Sequence, residues 1–318
     1  MAKPKRIVSL LSAATEILYG LGLGDRVVGV SHECDFPTDV ANKPRVTRSH
    51  VDDSASSRSI DEQVQRMAGG GESLYGIDES ALARLAPDLI VTQAQCDVCA
   101  VKYDDVVTAV ERLWPRRAIP VVALNPMSLA DIFRDIRRVG DATDSSAEAV
   151  ACIDELQRRV AAVRDKTAGL APDERPRTAI IEWIDPPMLA GNWMPELLEI
   201  AGGRCELTAP GRHSSYIDWH VVVRFDPQVI VISPCGFDLS RTLAEARTLT
   251  SFDQWTELSA VRNRGSYAVD GSAFFNRSGP RIVNSLEILA HLLHPDRFAP
   301  PFEETQHSSA WIRLPPLV

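Results

Sequence analysis

Short apolar runs alternate with helix-like patterns through the first half of the chain. Four runs have the length and the polar boundaries of buried strands, at residues 7–11, 26–30, 88–92 and 121–124. Apolar residues spaced three or four apart predict helices among them, at residues 13–21, 78–85 and 103–113. This alternation predicts a parallel β-sheet covered by helices.

The second half of the chain repeats the scheme. Strand-like runs lie at residues 178–183, 229–233 and 266–269, and helical patterns lie at residues 196–200 and 283–293. We therefore predict an α/β fold with two lobes, each built around a parallel sheet.

A longer helical pattern without strands separates the two halves. Its apolar stripe consists of Val150, Ile153, Leu156, Val160 and Val163. Asp144 or Ser145 can cap its start, and Gly169 with the polar residues after it ends it. A helix of about 20 residues spans about 30 Å, which is long enough to form a rigid spine along both lobes.

The pattern divides the chain into three parts. We predict an N-terminal lobe at residues 1–127, connecting helices with the spine at residues 128–174, and a C-terminal lobe at residues 175–318. Two α/β lobes on a helical spine place a ligand cleft between the carboxyl ends of their strands.

Composition narrows the function. The chain of 318 residues is 45% apolar and 24% charged, as in ordinary globular proteins, and its net charge is −9. An acidic protein is a poor partner for nucleic acid or an anionic membrane. No apolar stretch reaches the roughly 20 residues of a membrane span, so membrane insertion is not expected.

The N-terminus and the cysteines predict the compartment. The basic start resembles a signal peptide, but Thr15 and Glu16 interrupt the apolar run, and no cleavage site follows. Six cysteines without a secretory signal are typical of a reducing compartment. We therefore expect a cytoplasmic protein with reduced thiols.

Several sequence blocks resemble a known family. The segments RIVSLLSAATE at residues 6–16 and VVGVSHECDFP at residues 27–37 look like the opening of cobalamin-binding proteins of ABC importers. LARLAPDLIV at residues 82–91 and DPQVIVI at residues 226–232 are similar to the helix-then-strand blocks of its two lobes. PPMLAG at residues 186–191 and FNRSGPR at residues 275–281 match further blocks.

This resemblance implies a class III substrate-binding fold with a helical backbone. Its members bind cobalamin, haem or ferric siderophores in the cleft, and a glutamate on each lobe docks on the membrane permease. Ser80 and His220 stand at those two positions here, so docking on a permease is not expected.

Four cysteines follow predicted strands, where the ligand cleft is expected. They are Cys34, Cys96, Cys99 and Cys235. One interpretation is a zinc or iron site in which Cys34, His32 or Cys235 completes the ligation by Cys96 and Cys99. A second is that a thiolate or imidazole ligates the metal of a bound cofactor. A third is thiol redox chemistry at the C-x-x-C pair, and a fourth is that these thiols are inert and buried.

Other side chains are candidates for ligand contact. Flat rings suit a broad conjugated ligand, although they also pack between lobes; the candidates are Tyr75, Trp183, Trp193, Phe274 and Phe275. Glu33 lies in the loop that carries His32 and Cys34. Arg277 can hold a carboxylate or form an ion pair, and Ser12 can bind a polar group or cap the first helix.

These observations lead to two competing functions. The first is non-catalytic, intracellular binding of a corrinoid such as cobalamin, or of another metal-containing small ligand, by a monomer or homodimer. The alternative is a cytoplasmic metal- or thiol-dependent enzyme, or a metal sensor, that uses the cysteine cluster.

Overall fold

The computed structural model describes residues 3–94, 98, 100–302 and 310–315. The chain forms two compact units. Unit 1 consists of residues 1–55, 59–126 and 130–155, and unit 2 consists of residues 56–58, 127–129 and 156–318. One division between them falls inside the predicted spine helix.

The strands are short and their bounds agree with most of the predicted runs. They are β1 (Ile7–Ser9), β2 (Val27–Val30), β3 (Thr47–Ser49), β4 (Tyr75–Ile77), β5 (Leu89–Gln93), β6 (Val121–Leu124), β7 (Thr178–Trp183), β8 (Met188–Leu189), β9 (Ser215–Tyr216), β10 (Val229–Ile232), β11 (Ser266–Val269) and β12 (Trp311–Arg313).

The helices cover all five of the predicted helical segments and the spine. They are α1 (Ser12–Gly20), α2 (Ser57–Gly69), α3 (Glu79–Leu85), α4 (Tyr103–Leu113), α5 (Leu129–Thr143), α6 (Ser146–Thr167), α7 (Met194–Ile200), α8 (Trp219–Phe225), α9 (Leu239–Glu245), α10 (Ser259–Arg262) and α11 (Ile282–Leu293).

Unit 1 contains a four-stranded parallel sheet in the order β2-β1-β5-β6. Side chains from β1, β5, α3 and α4 share a core, which includes Val8, Leu82, Ile90 and Val106. The central strands β1 and β5 are buried at every residue, as a helix-covered parallel sheet requires. β3 and β4 form a separate antiparallel pair.

Unit 2 contains a six-stranded mixed sheet in the order β12-β11-β10-β7-β8-β9. Its three predicted strands, β7, β10 and β11, are parallel. β8, β9 and β12 extend the sheet in antiparallel fashion. Ile181, Ile230, Trp255 and Ala268 lie in the core on one face.

The predicted spine is helix α6, with 22 residues. Ile153, Leu156, Val160 and Val163 are buried along one side, while most of the residues between them are exposed. In unit 2, the Arg159 guanidinium donates two hydrogen bonds to the carboxylate of Glu287 on α11, at 2.9 and 2.7 Å. Apolar burial and a bidentate ion pair therefore fix this half of the helix.

The end of α11 carries a histidine whose protonation is linked to stability. Burial lowers the pKa of His294, although its hydrogen bond to the Gly202 carbonyl, at 3.1 Å, opposes that shift. As the pH falls, the imidazole of the unfolded chain is therefore protonated before that of the folded protein. The stability that the neutral His294 contributes is complete above about pH 6.5 and is lost as the pH falls below it.

We expect His294→Gln to flatten the decline of unfolding free energy between about pH 7.5 and pH 5.5. Urea unfolding of both proteins across this range measures the difference, with His220→Gln as the control because His220 is exposed on α8. An equal pH slope for wild type and His294→Gln would refute this linkage.

Candidate ligand-binding site

The candidate site of unit 1 lies where its central strands end. β2 and β5 flank β1, so the loops that leave these parallel strands meet at one edge of the sheet. The strand order also reverses here, since β2 lies on one side of β1 and β5 lies on the other. Such a switch point is where ligands bind in open α/β sheets.

Hydrogen bonds hold the loop after β2 in place. The Ser12 hydroxyl donates to the Glu33 carbonyl at 2.8 Å, which ties this loop to α1. Arg45 donates to the carbonyls of Ser31 and Cys34 at 2.9 and 2.5 Å. Leu11, and not Ser12, stands at the N-cap of α1, so the capping alternative for Ser12 is wrong.

His32 is fixed on several sides by its own unit. Its Nδ1 lies 2.7 Å from the Thr47 hydroxyl, and its Nε2 lies 3.2 Å from a carboxylate oxygen of Glu33. The ring centroids of His32 and Tyr75 are 5.5 Å apart. Both ring nitrogens of His32 therefore have protein neighbours.

Tyr75 extends this cluster toward the loop after β5. Its hydroxyl donates to the Val98 carbonyl at 2.8 Å. Val98 and Phe36 have exposed side chains in the loops that follow β5 and β2. Tyr75 is the first residue of β4, a three-residue strand that the sequence pattern did not predict.

The site of unit 2 begins with an aromatic pair at the end of β7. The rings of Trp183 and Phe237 have centroids 5.4 Å apart and are tilted by 57°. The Arg241 guanidinium lies 4.2 Å from the Phe237 centroid, which is a cation–π distance. Phe237 belongs to the loop after β10, so this contact joins two neighbouring strand ends.

A turn of π-helix follows β11 and contains two adjacent phenylalanines, whose side chains differ in exposure. Phe275 is 0% exposed and belongs to the interior of unit 2, whereas Phe274 is half-buried. The Phe274 ring lies near Phe302, at 5.6 Å between centroids, and near the Arg281 guanidinium at 5.5 Å. Of the pair, only Phe274 has a side chain partly open to solvent.

Two further predicted ligand contacts also point inward. Trp193 is 6% exposed, and its indole N–H donates to the Phe275 carbonyl at 3.1 Å. Arg277 is buried and donates to the Ser272 hydroxyl at 3.2 Å. For Phe275, Trp193 and Arg277 the geometry favours packing within unit 2 over ligand contact.

The sequence pattern did not identify two candidates for ligand contact. Met188 on β8 pairs with Trp183, and Tyr216 on β9 pairs with Met188. Tyr216 is 48% exposed, which is unusual for a ring of this size. Strands of two residues leave no periodic signal, and only the exposed aromatic itself could have indicated the site.

Of the four cysteines predicted at strand ends, Cys34 and Cys235 lie among the described residues, and they differ in exposure. Cys34 is buried, with its sulfur 3.1 Å from the Thr15 hydroxyl, and Cys235 is exposed in the loop after β10. Cys96 and Cys99 lie outside the described residues. Within residues 3–94, 98, 100–302 and 310–315, no group of three metal-binding side chains is arranged around a common point. The metal site therefore stays a prediction.

The two remaining cysteines are Cys152 on α6 and Cys205 in unit 2, and both are half-buried. Burial raises the pKa of both the Cys152 and the Cys205 thiols, so neither is activated as a thiolate.

Among the described helices, none is long and apolar enough to cross a bilayer.

The chain is similar to known substrate-binding proteins over most of its length. The chain is 23% identical over 301 residues to the uncharacterized ABC transporter substrate-binding lipoprotein YvrC of Bacillus subtilis, with 93% of this chain and 82% of that one covered. It is 26% identical over 304 residues to a cobalamin-binding protein of Halobacterium salinarum, with 92% and 70% covered.

Solved structures share the fold. The periplasmic haem-binding protein RhuT from Roseiflexus sp. RS-1 superposes with a TM-score of 0.66 at 19% identity, with 92% of this chain and 98% of that one covered. The α/β class III fold expected from the sequence is thus confirmed. The profile of a family described as periplasmic binding protein matches residues 7–273. The chain belongs to the periplasmic binding protein family.

Proposed function

We propose that this substrate-binding protein binds a cobalamin-like corrinoid without catalysing a reaction. The observation that carries the proposal is the aromatic pair Trp183–Phe237 at the end of β7. The exposed Tyr216 lies in register with Trp183 two strands away, with Met188 on β8 between them. The similarity to a cobalamin-binding protein over 92% of the chain supports the same ligand class.

The chemistry of these side chains suits a large, flat, polar-edged ligand. Aromatic rings give wide contact area at a low cost in side-chain entropy. Arg241 and Arg281, next to Phe237 and Phe274, supply N–H donors for carbonyl or carboxylate groups at the ligand's edge. Haem presents a similar outline, so it is the main competitor for the assignment.

Absorbance titration of the purified chain with cyanocobalamin, hemin and a ferric hydroxamate siderophore tests the proposal. We expect saturable one-to-one binding of cyanocobalamin with a dissociation constant below about 1 μM, or about −8 kcal/mol. The ligand should be recovered chemically unchanged. Stronger binding of hemin would reassign the ligand, and binding of none of the three would refute the proposal.

Tyr216→Ala should weaken the binding of cyanocobalamin by roughly tenfold, or about 1.4 kcal/mol, because it removes an exposed ring from the proposed site. Ile312→Ala is the matched control. Ile312 is 44% exposed on β12, and Tyr216 is 48% exposed on β9, at the opposite edge of the same sheet. Equal affinities for the two variants would exclude Tyr216 from the site.

The cytoplasmic location, the cleft between the lobes and the cysteine-based metal site remain predictions of the sequence. Elemental analysis of wild type and of the Cys96→Ser/Cys99→Ser double variant tests the metal site, and cell fractionation tests the location. Bound zinc or iron that depends on the two cysteines would favour the enzyme or sensor alternative.

A further inference from the structure

An unusually long connection joins the antiparallel strands β3 and β4. Hairpin loops commonly have about 2–5 residues, but this connection runs from residue 50 to residue 74 and contains α2. Residues 56–58, at the start of α2, are counted with unit 2. We call these three residues the strap.

Glu245 anchors the strap at Ser57. The backbone N–H and the hydroxyl of Ser57 both donate to one carboxylate oxygen of Glu245, at 2.8 and 2.6 Å. Ser57 is buried, and Glu245 is the last residue of α9. Two charge-assisted hydrogen bonds to one oxygen make this contact stronger than a neutral pair.

Asp185 provides a second anchor. Arg58 donates from Nε and from Nη2 to the two carboxylate oxygens of Asp185, at 2.9 and 2.7 Å. The Asp185 side chain is 12% exposed, whereas that of Arg58 is 64% exposed. A bidentate pair with a largely buried acceptor fixes the direction of the guanidinium.

The strap in turn holds the indole of Trp183. The Trp183 N–H donates to the Ser57 carbonyl at 3.2 Å. Phe237 contacts the ring itself, with centroids 5.4 Å apart. One hydrogen bond and one ring contact together determine the plane of the indole, because its N–H is its only polar group.

We propose that the strap positions Trp183 for ligand contact, and that Glu245 and Asp185 are positioning residues which hold the strap. The inference rests on the proposed function, because it assigns the strap a role at the same aromatic pair. Binding specificity at Trp183 then depends on a segment that the β3–β4 connection supplies.

A ligand-free measurement tests the positioning itself. Acrylamide quenching is compared between each protein and the same protein carrying Trp183→Phe, which isolates Trp183 among the six tryptophans. We expect Glu245→Ala to raise the quenching constant of Trp183 about twofold or more, because the strap loses both hydrogen bonds to the Glu245 side chain. Glu245→Gln retains an accepting oxygen and should stay near wild type, as should the control Glu257→Ala at an exposed position.

Titration with cyanocobalamin, and with hemin in parallel, tests the consequence for binding. Glu245→Ala should bind roughly tenfold more weakly than wild type, with Glu245→Gln restoring most of the affinity and thermal unfolding showing that all variants fold. Unchanged quenching in Glu245→Ala would overturn the positioning role. Changed quenching with unchanged affinity would overturn its role in binding. If wild type binds neither probe, the proposed function fails with the ligand part of this inference, while quenching still decides whether the strap orients Trp183.

Discussion

Phe275→Ala should lower the free energy of unfolding by about 3–5 kcal/mol, the range for a large aromatic removed from a core. Phe275 is 0% exposed in the π-helical turn after β11, and its carbonyl accepts the indole N–H of Trp193. Truncation leaves a cavity in a packed interior, and the backbone of the turn cannot collapse into it without breaking that hydrogen bond. Urea unfolding measures the loss.

The neighbouring residue is the control. Phe274→Ala should cost much less stability, because Phe274 is half-buried and its ring lies near the partly buried Phe302 and the Arg281 guanidinium. It should instead weaken the binding of cyanocobalamin. Similar losses of stability for the two variants would contradict the inward and outward assignment of these rings.

Gly271→Ala should destabilise unit 2 by about 1–3 kcal/mol, the usual cost of overpacking. A β-carbon on Gly271 would collide with the carbonyl of Pro234, which belongs to the loop after β10. The collision falls on backbone, so it cannot be relieved by a side-chain rotation. Because this loop carries Phe237, we expect weaker ligand binding as well as a lower midpoint of thermal unfolding.

Gly169→Ala provides the comparison for that substitution. No atom lies within 4 Å of a β-carbon placed on Gly169, so the methyl group has room. Its unfolding midpoint should stay close to that of wild type. A Gly271→Ala protein as stable as Gly169→Ala would show that the two loops can separate freely.

Local chemistry explains why much of the fold could be predicted. Asp78 and Asp218 each cap a seven-residue helix, and each helix ends in a residue with positive φ, Ala86 at 42° and Asp226 at 46°. A proline follows each of these residues, and a buried strand comes next. Capping, chain reversal and burial are all set within one short segment. The sequence pattern therefore predicted the helix at residues 78–85 and the strands that follow both caps, although it did not predict α8.

The candidate site was less predictable because it depends on which way each side chain points. Phe274 and Phe275 are identical neighbours, yet the π-helical turn directs one ring into the core. Tyr216 contributes through a two-residue strand, which has no recognisable period. The strap at Ser57 and Arg58 is polar and lies far along the chain from Asp185 and Glu245, so no local pattern links them.

Hydrogen exchange with and without saturating cyanocobalamin tests the central claim most directly, because it reports both binding and its location. Protection is predicted for the amides of the strand-end loops of unit 2, at residues 184–185 and 235–238, with α6 unchanged. Saturation without protection of these loops, or protection confined to other elements, would contradict the account.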